Sequence, residues 1–288
     1  MSKKYKRKKQ PLKVPEQLKV FSRFLQFFSI HAAAKFALYL FRKPIKFKIP
    51  KREIEMDKNS KQQLLNIPAL NNKINVYIYG ASSKKVLLVH GWSGRGTQLY
   101  SIAERLLEEG YSTISFDAPG HGKSAGKTSD MVQFIECIFE IEKNYGPFEF
   151  AIGHSLGGMS ILNAVKKGFH VKKAVIIGSG DIIKDIIRNF RIALGLNKNT
   201  ENKMIKLFEK RYSAKVNDYS ASVAAKSINT PVLIVHDKHD NDVPLSAAYS
   251  IHKNLAGSKL IVTEKLGHRK VLGDTNVINQ IVAFLNIQ

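Results

Sequence analysis

The feature that most restricts the fold is an alternation. From residue 74 onward, short runs of β-branched and aliphatic residues take turns with segments of helical periodicity. Residues 74–79, 86–90, 112–116, 148–152, 174–177, 232–236 and 259–263 read as strands. Helices are expected at 98–109, 131–145, 156–167, 245–254 and 276–286. Parallel neighbours need a crossover between them, so strand–helix–strand alternation implies an α/β fold: a mostly parallel sheet with helices on both faces. Such sheets place their chemistry at the carboxyl ends of the strands. The chain's 288 residues lie near the upper limit of one large domain.

Two strand ends stand out. Val86-Leu-Leu-Val-His90-Gly91-Trp92-Ser93-Gly94 runs from a buried strand into a glycine-bearing turn. Phe148-Glu-Phe-Ala-Ile-Gly153-His154-Ser155-Leu156-Gly157-Gly158 runs from a strand into a helix and contains G-x-S-x-G. A serine hydroxyl is a poor nucleophile without a base, and the base needs an orienting carboxylate. Residues 231–244 carry Asp237, Asp240 and Asp242 just past a buried strand, and Leu266-Gly267-His268-Arg269 carries a histidine just past the last one. Serine, acid and histidine all fall at strand ends, in that order.

Together with Phe116-Asp-Ala-Pro-Gly-His-Gly-Lys-Ser124 and Val243-Pro244, these motifs resemble the α/β-hydrolase superfamily from about residue 73 to residue 286. Within it they are similar to bacterial serine hydrolases of the serine-aminopeptidase and monoglyceride-lipase-like type. The reading of G-x-S-x-G as a nucleophile elbow belongs to that resemblance: a strained turn lifts the serine above the sheet at a helix N-terminus. The resemblance implies Ser155 as nucleophile, His268 as base and Asp240 as orienting acid. It implies the backbone N–H groups of Trp92 and Leu156 as the oxyanion hole. Asp237 stands where family members commonly carry glycine, so Asp237 and Asp242 stay open as alternatives for the acid. His90, His121 and His154 are read as structural.

The expected activity is hydrolysis of a small-molecule carboxylic ester or thioester through an acyl-serine intermediate, with no cofactor. An aminopeptidase or amidase on the same triad is one alternative, and a catalytically silent binding member is another. A serine nucleophile disfavours dehalogenase and epoxide-hydrolase chemistry. Residues 181–230 exceed an ordinary connection and read as a helical cap inserted after strand 6. The cap holds ten basic and five acidic residues, which favours anionic or neutral substrates. An aminopeptidase would need a carboxylate for the free amine, and Glu201, Glu209 and Asp218 are the candidates. Arg95, near the oxyanion turn, is expected to contact a substrate phosphate or carboxylate.

Charge separates the N-terminus from the rest. Lys and Arg number 46 against 23 Asp and Glu, yet residues 1–50 alone hold 14 basic residues and one acid, Glu16. Residues 1–17 read as a basic disordered tail, 18–50 as an amphipathic helical segment and linker, and 51–180 with 231–288 as the core. The stretch 18–41 is apolar and aromatic, but Arg23 and Lys35 interrupt it. Lys19, Ser22, Arg23, Gln26 and Ser29 share one helical face, whereas His31, Lys35 and Arg42 share another. Two displaced polar stripes suit two short amphipathic helices bent near 29–32 better than one spanning helix. A signal peptide with a minimal apolar region is an alternative.

Packing on the protein's own body is expected for this segment, with peripheral contact on an anionic membrane as the alternative. The expected location is cytoplasmic, with membrane association through the N-terminus as the alternative. No helix-turn-helix, zinc-finger or RNA-stacking motif accompanies the charge, so no specific nucleic-acid partner is expected. The lone Cys137 excludes an intrachain disulfide framework and a multi-cysteine zinc site, and no H-E-x-x-H occurs, so no metal is expected. Gly122-Lys-Ser lacks the preceding glycine of a P-loop, since Asp117 occupies that position.

Overall fold

A computed structural model describes residues 14–286. Its strands are β1 Lys61–Ile67, β2 Asn72–Tyr79, β3 Lys85–Val89, β4 Ser112–Phe116, β5 Phe150–His154, β6 Lys173–Ile177, β7 Val232–Asp237 and β8 Lys259–Thr263. They form one sheet in the order β1-β2-β4-β3-β5-β6-β7-β8. β2 runs antiparallel to both β1 and β4, and the remaining pairs are parallel. The helices are α1 Glu16–Phe28, α2 Ile30–Phe41, α3 Ile54–Asn59, α4 Tyr100–Glu108, α5 Met131–Tyr145 and α6 Leu156–Lys166. They continue as α7 Ile183–Ala193, α8 Lys198–Tyr212, α9 Ala221–Ala225, α10 Ser246–Asn254, α11 Gly267–Lys270 and α12 Thr275–Asn286.

Successive side chains on a strand point to opposite faces, and here both faces are apolar. Leu87, Val89, Ala151, Ile176 and Ile234 face a core shared with α5, α6 and the segment between β6 and β7. Val86, Leu88, Ile152, Val175 and Val235 face a second core, closed by α4 and α12. That is why β3, β6 and β7 carry largely apolar runs. β1 escaped the sequence reading because it is an edge strand with little buried side-chain surface, and the short α3 is absent from the expected helices.

The cap region consists of α7, α8 and α9, all between β6 and β7. The N-terminal apolar stretch is two helices that meet at Ser29, whose hydroxyl accepts the Ala32 N–H at 3.2 Å and so caps α2. Ala33, Ala34 and Ala37 are fully buried, and α2 packs on α8. α1 starts at Glu16, inside the segment read as tail; residues 1–13 of that expected tail lie outside the described residues. Among the described residues no helix is long and apolar enough to cross a membrane.

Candidate active site

Ser155 joins the end of β5 to the start of α6 with φ +52° and ψ −115°, a backbone conformation that non-glycine residues rarely adopt. Its N–H donates to the Ile177 carbonyl at 2.9 Å, which anchors the strained residue to β6. α6 can begin so close to the sheet only because of Gly157. A β-carbon there would stand 2.7 Å from the His90 carbonyl oxygen and closer still to that of Val89. The turn after β3 passes over the same point, since a β-carbon on Gly91 would lie 3.1 Å from Ser155 Cβ. Among the described residues, neither the Trp92 N–H nor the Leu156 N–H has a protein acceptor. Two unengaged amides therefore flank the serine, one on each neighbouring strand end.

The acid and the histidine meet beside them. His268 Nδ1 donates to Asp240 Oδ2 at 2.6 Å, and the Asp240 side chain is only 1% exposed. The other carboxylate oxygen accepts the N–H groups of Asp242 and Val243, both at 2.8 Å, so the acid is oriented from both ends. His154, adjacent to the serine, donates from Nε2 to the His268 carbonyl at 2.9 Å, and the two imidazoles lie 4.5 Å apart. No hydrogen bond joins Ser155 Oγ to His268 among the described residues. In unliganded sites such bonds are commonly long and tighten once substrate is bound.

The alternatives for the acid separate by geometry. Burial pushes the pKa of Asp237 up, but the Gly267 and Leu266 N–H groups, the Thr263 hydroxyl and the His239 N–H outweigh it and hold the carboxyl below its usual range. The bonds are 3.0 Å from Leu266 N, 2.8 Å from Thr263 Oγ1 and 2.8 Å from His239 N. Asp237 thus braces the loop that carries His268 rather than the imidazole itself. Asp242 is exposed. It shares with Asp240 and His268 a spacing of ligand atoms within 4.8 Å, one a cation could use. His268 Nδ1, however, is already the donor to Asp240 and offers no lone pair while that bond stands.

His90 and His121 hold the turn after β3. His90 Nε2 accepts the Ala118 N–H at 3.0 Å, so its Nδ1 carries the proton and donates to the Gly91 carbonyl at 2.7 Å. His121 repeats the pattern, accepting the Ser93 N–H at 3.2 Å and donating to Pro119 O at 3.0 Å. Burial pushes His90 down to about 4 and His121 down to about 3, so both are neutral near pH 7.

Arg95 makes its contacts within the protein. Its guanidinium donates to the Phe47 carbonyl and lies 3.9 Å from the Glu53 carboxylate, with a side chain only 14% exposed. It is therefore turned toward the N-terminal connector. Ser93 Oγ accepts the Ile45 N–H at 3.0 Å, and Thr97 Oγ1 donates to Glu53 at 2.8 Å. The segment after β3 is latched to residues 45–53 at three points. Sequence reasoning missed this latch because two of its partners are backbone groups, which leave no mark on residue identity.

The family model described as "Alpha/beta hydrolase family" matches residues 86–275. Over 136 residues the chain is 29% identical to the (E)-2-((N-methylformamido)methylene)succinate hydrolase of Acinetobacter baylyi, covering 40% of this chain and 50% of that protein. Over 111 residues it is 31% identical to the monoglyceride lipase of Saccharomyces cerevisiae, covering 34% of this chain and 36% of the lipase. The chain thus spans half, or about a third, of the length of these relatives. Among solved structures, an esterase from Exiguobacterium antarcticum superposes with a TM-score of 0.63 at 22% identity, covering 79% of this chain and all of the esterase. At that identity the likeness concerns the fold.

Proposed function

Because the chain belongs to the alpha/beta hydrolase family, we propose that this hydrolase cleaves a carboxylic ester or thioester through an acyl-enzyme formed on Ser155. The observation that carries the reading is the strained Ser155 turn standing beside a His268–Asp240 pair bonded at 2.6 Å. His268 takes the Ser155 proton as Oγ attacks the acyl carbonyl. Asp240 holds the imidazole in the tautomer that leaves Nε2 free to do so, and then stabilises the imidazolium. The Trp92 and Leu156 N–H groups receive the charge that develops on the carbonyl oxygen. Collapse of the tetrahedral intermediate expels the alcohol or thiol with the proton from His268. Water, deprotonated by the same imidazole, then releases the carboxylic acid and regenerates Ser155.

An aminopeptidase reading loses two of its three candidate carboxylates in the cap, leaving the exposed Asp218. Glu201 is buried between Arg191, at 2.9 Å, and Arg188, at 3.6 Å, and Glu209 accepts the Val216 N–H at 3.1 Å. Both carboxylates are engaged internally rather than held ready for an amine. A fluorophosphonate probe should label the wild-type chain and leave Ser155→Ala unlabelled, with turnover of p-nitrophenyl esters falling by about 10⁴-fold or more. Full labelling of the alanine variant would overturn the assignment. Faster turnover of amino-acid anilides than of esters would move the reading to an amidase.

A further inference from the structure

α1 is amphipathic in the wrong sense for a surface helix. Val20, Phe21, Phe24, Phe27 and Phe28 recur at a helical spacing and point outward, with Phe27 85% and Phe28 70% exposed. The aromatic rings touch one another: Phe24 and Phe28 centroids are 4.8 Å apart, Phe27 and Phe28 5.2 Å, and Phe21 meets Phe36 of α2 at 5.0 Å. The polar side of the helix faces the protein. Ser22 is fully buried, and Gln26 Oε1 accepts the Asn197 N–H at 2.7 Å and the Thr200 hydroxyl at 2.8 Å. The Arg23 guanidinium lies against Gly195, where a β-carbon would meet it at 2.5 Å. Ordinarily a surface helix turns its apolar stripe inward and its polar stripe to water. Here specific polar contacts with the cap hold the aromatic stripe out, as one contiguous patch.

We infer that this aromatic face of α1 docks on an anionic lipid bilayer. Charge selects the occupant. Residues 1–50 carry 14 Lys and Arg against Glu16 alone, so a second copy seated on the face would bring two strongly cationic segments together. The first thirteen residues offer little to cover it, since Met1, Tyr5, Pro11 and Leu12 are their only apolar residues. A bilayer containing anionic lipid satisfies both properties at once: rings enter the headgroup–acyl boundary, and lysines meet the phosphates and carboxylates above it. Docking of this kind does not depend on the chemistry assigned to Ser155.

Co-sedimentation of the full chain tests it. With vesicles of phosphatidylcholine mixed with phosphatidylserine, binding should exceed that to phosphatidylcholine alone by about tenfold or more, and should weaken as salt is raised. Replacing Phe24, Phe27 and Phe28 together by serine should cost about tenfold or more in binding, with the thermal unfolding curve unchanged. If the triple variant unfolds, Phe27→Ser alone should still bind several-fold more weakly. Binding by these variants equal to wild type would mean that the basic tail acts alone, and would overturn the proposal. So would a wild-type chain that ignores both vesicles, or one that elutes as a dimer which the variant dissociates.

Discussion

At the scale of single residues, the imidazoles around the oxyanion turn are fixed by what they touch. His90 and His121 each accept one backbone N–H and donate to one backbone carbonyl, a pattern that only the neutral ring can satisfy. His154 is likewise driven well below its ordinary value, by burial first and then by the charge of His268. In each case the folded value is depressed, so between the folded and unfolded values the unfolded chain binds more protons. Their stabilisation is therefore complete above about pH 6.5 and is lost as pH falls toward about 4 for His90 and about 3 for His121. Each contributes a slope of about 1.4 kcal/mol per pH unit in that window. Urea unfolding followed from neutral pH to about pH 4.5 should show stability falling before ordinary carboxylates titrate, and His90→Gln should flatten the slope by one proton's worth. A stability flat over this range would contradict the neutral, buried assignment. The family resemblance could suggest a structural role for these histidines. It could not supply their partners. The contact of Arg95 was hidden for the same reason: its acceptor is the carbonyl of Phe47, and any residue carries a carbonyl.

At the scale of elements, the site exists because β5 and α6 meet at an angle that leaves no room for a side chain. Gly157→Ala would push a methyl group against the Val89 and His90 carbonyls, which are sheet backbone and cannot move aside. The expected cost is about 1–3 kcal/mol in urea unfolding, together with slower fluorophosphonate labelling as the Ser155 turn is displaced. Wild-type stability and labelling would show that helix and strand can separate enough to admit the methyl group. The parallel strands β3, β6 and β7 were legible because burial on both faces writes them as largely apolar runs. β1 was not: its Lys61-Gln-Gln-Leu-Leu-Asn-Ile67 is mostly polar, and only pairing with β2 makes it a strand. The break between α1 and α2 could be read from the two displaced polar stripes. Which stripe of α1 faces the protein could not, since periodicity gives the angle between faces and not the partner that each face meets.

At the scale of the whole molecule, one buried carboxylate gathers three parts of the chain. Asp130 caps α5 by accepting the Gln133 N–H at 3.2 Å, and it accepts Arg42 Nε at 2.7 Å from the end of α2. The Tyr212 hydroxyl, at the end of α8 in the cap, donates to the same oxygen as Arg42. Burial and the neighbouring Asp130 charge push the Tyr212 phenol above its usual range, so it stays a donor. The Arg42 and Asp130 side chains are 8% and 5% exposed, so neither is offset by water if its partner is removed. Arg42→Ala should therefore cost about 3–5 kcal/mol, because a buried carboxylate is left with only neutral donors. Adding Asp130→Asn should recover part of that loss, since it removes the uncompensated charge while keeping a side chain that can still cap α5. Both outcomes can be measured by urea unfolding, with limited proteolysis reporting whether α1 and α2 leave the cap before the sheet unfolds. A neutral Arg42→Ala would mean that the N-terminal helices merely rest on the core. A large loss with partial rescue would mean that N-terminus, sheet and cap unfold as one unit around a single ion pair.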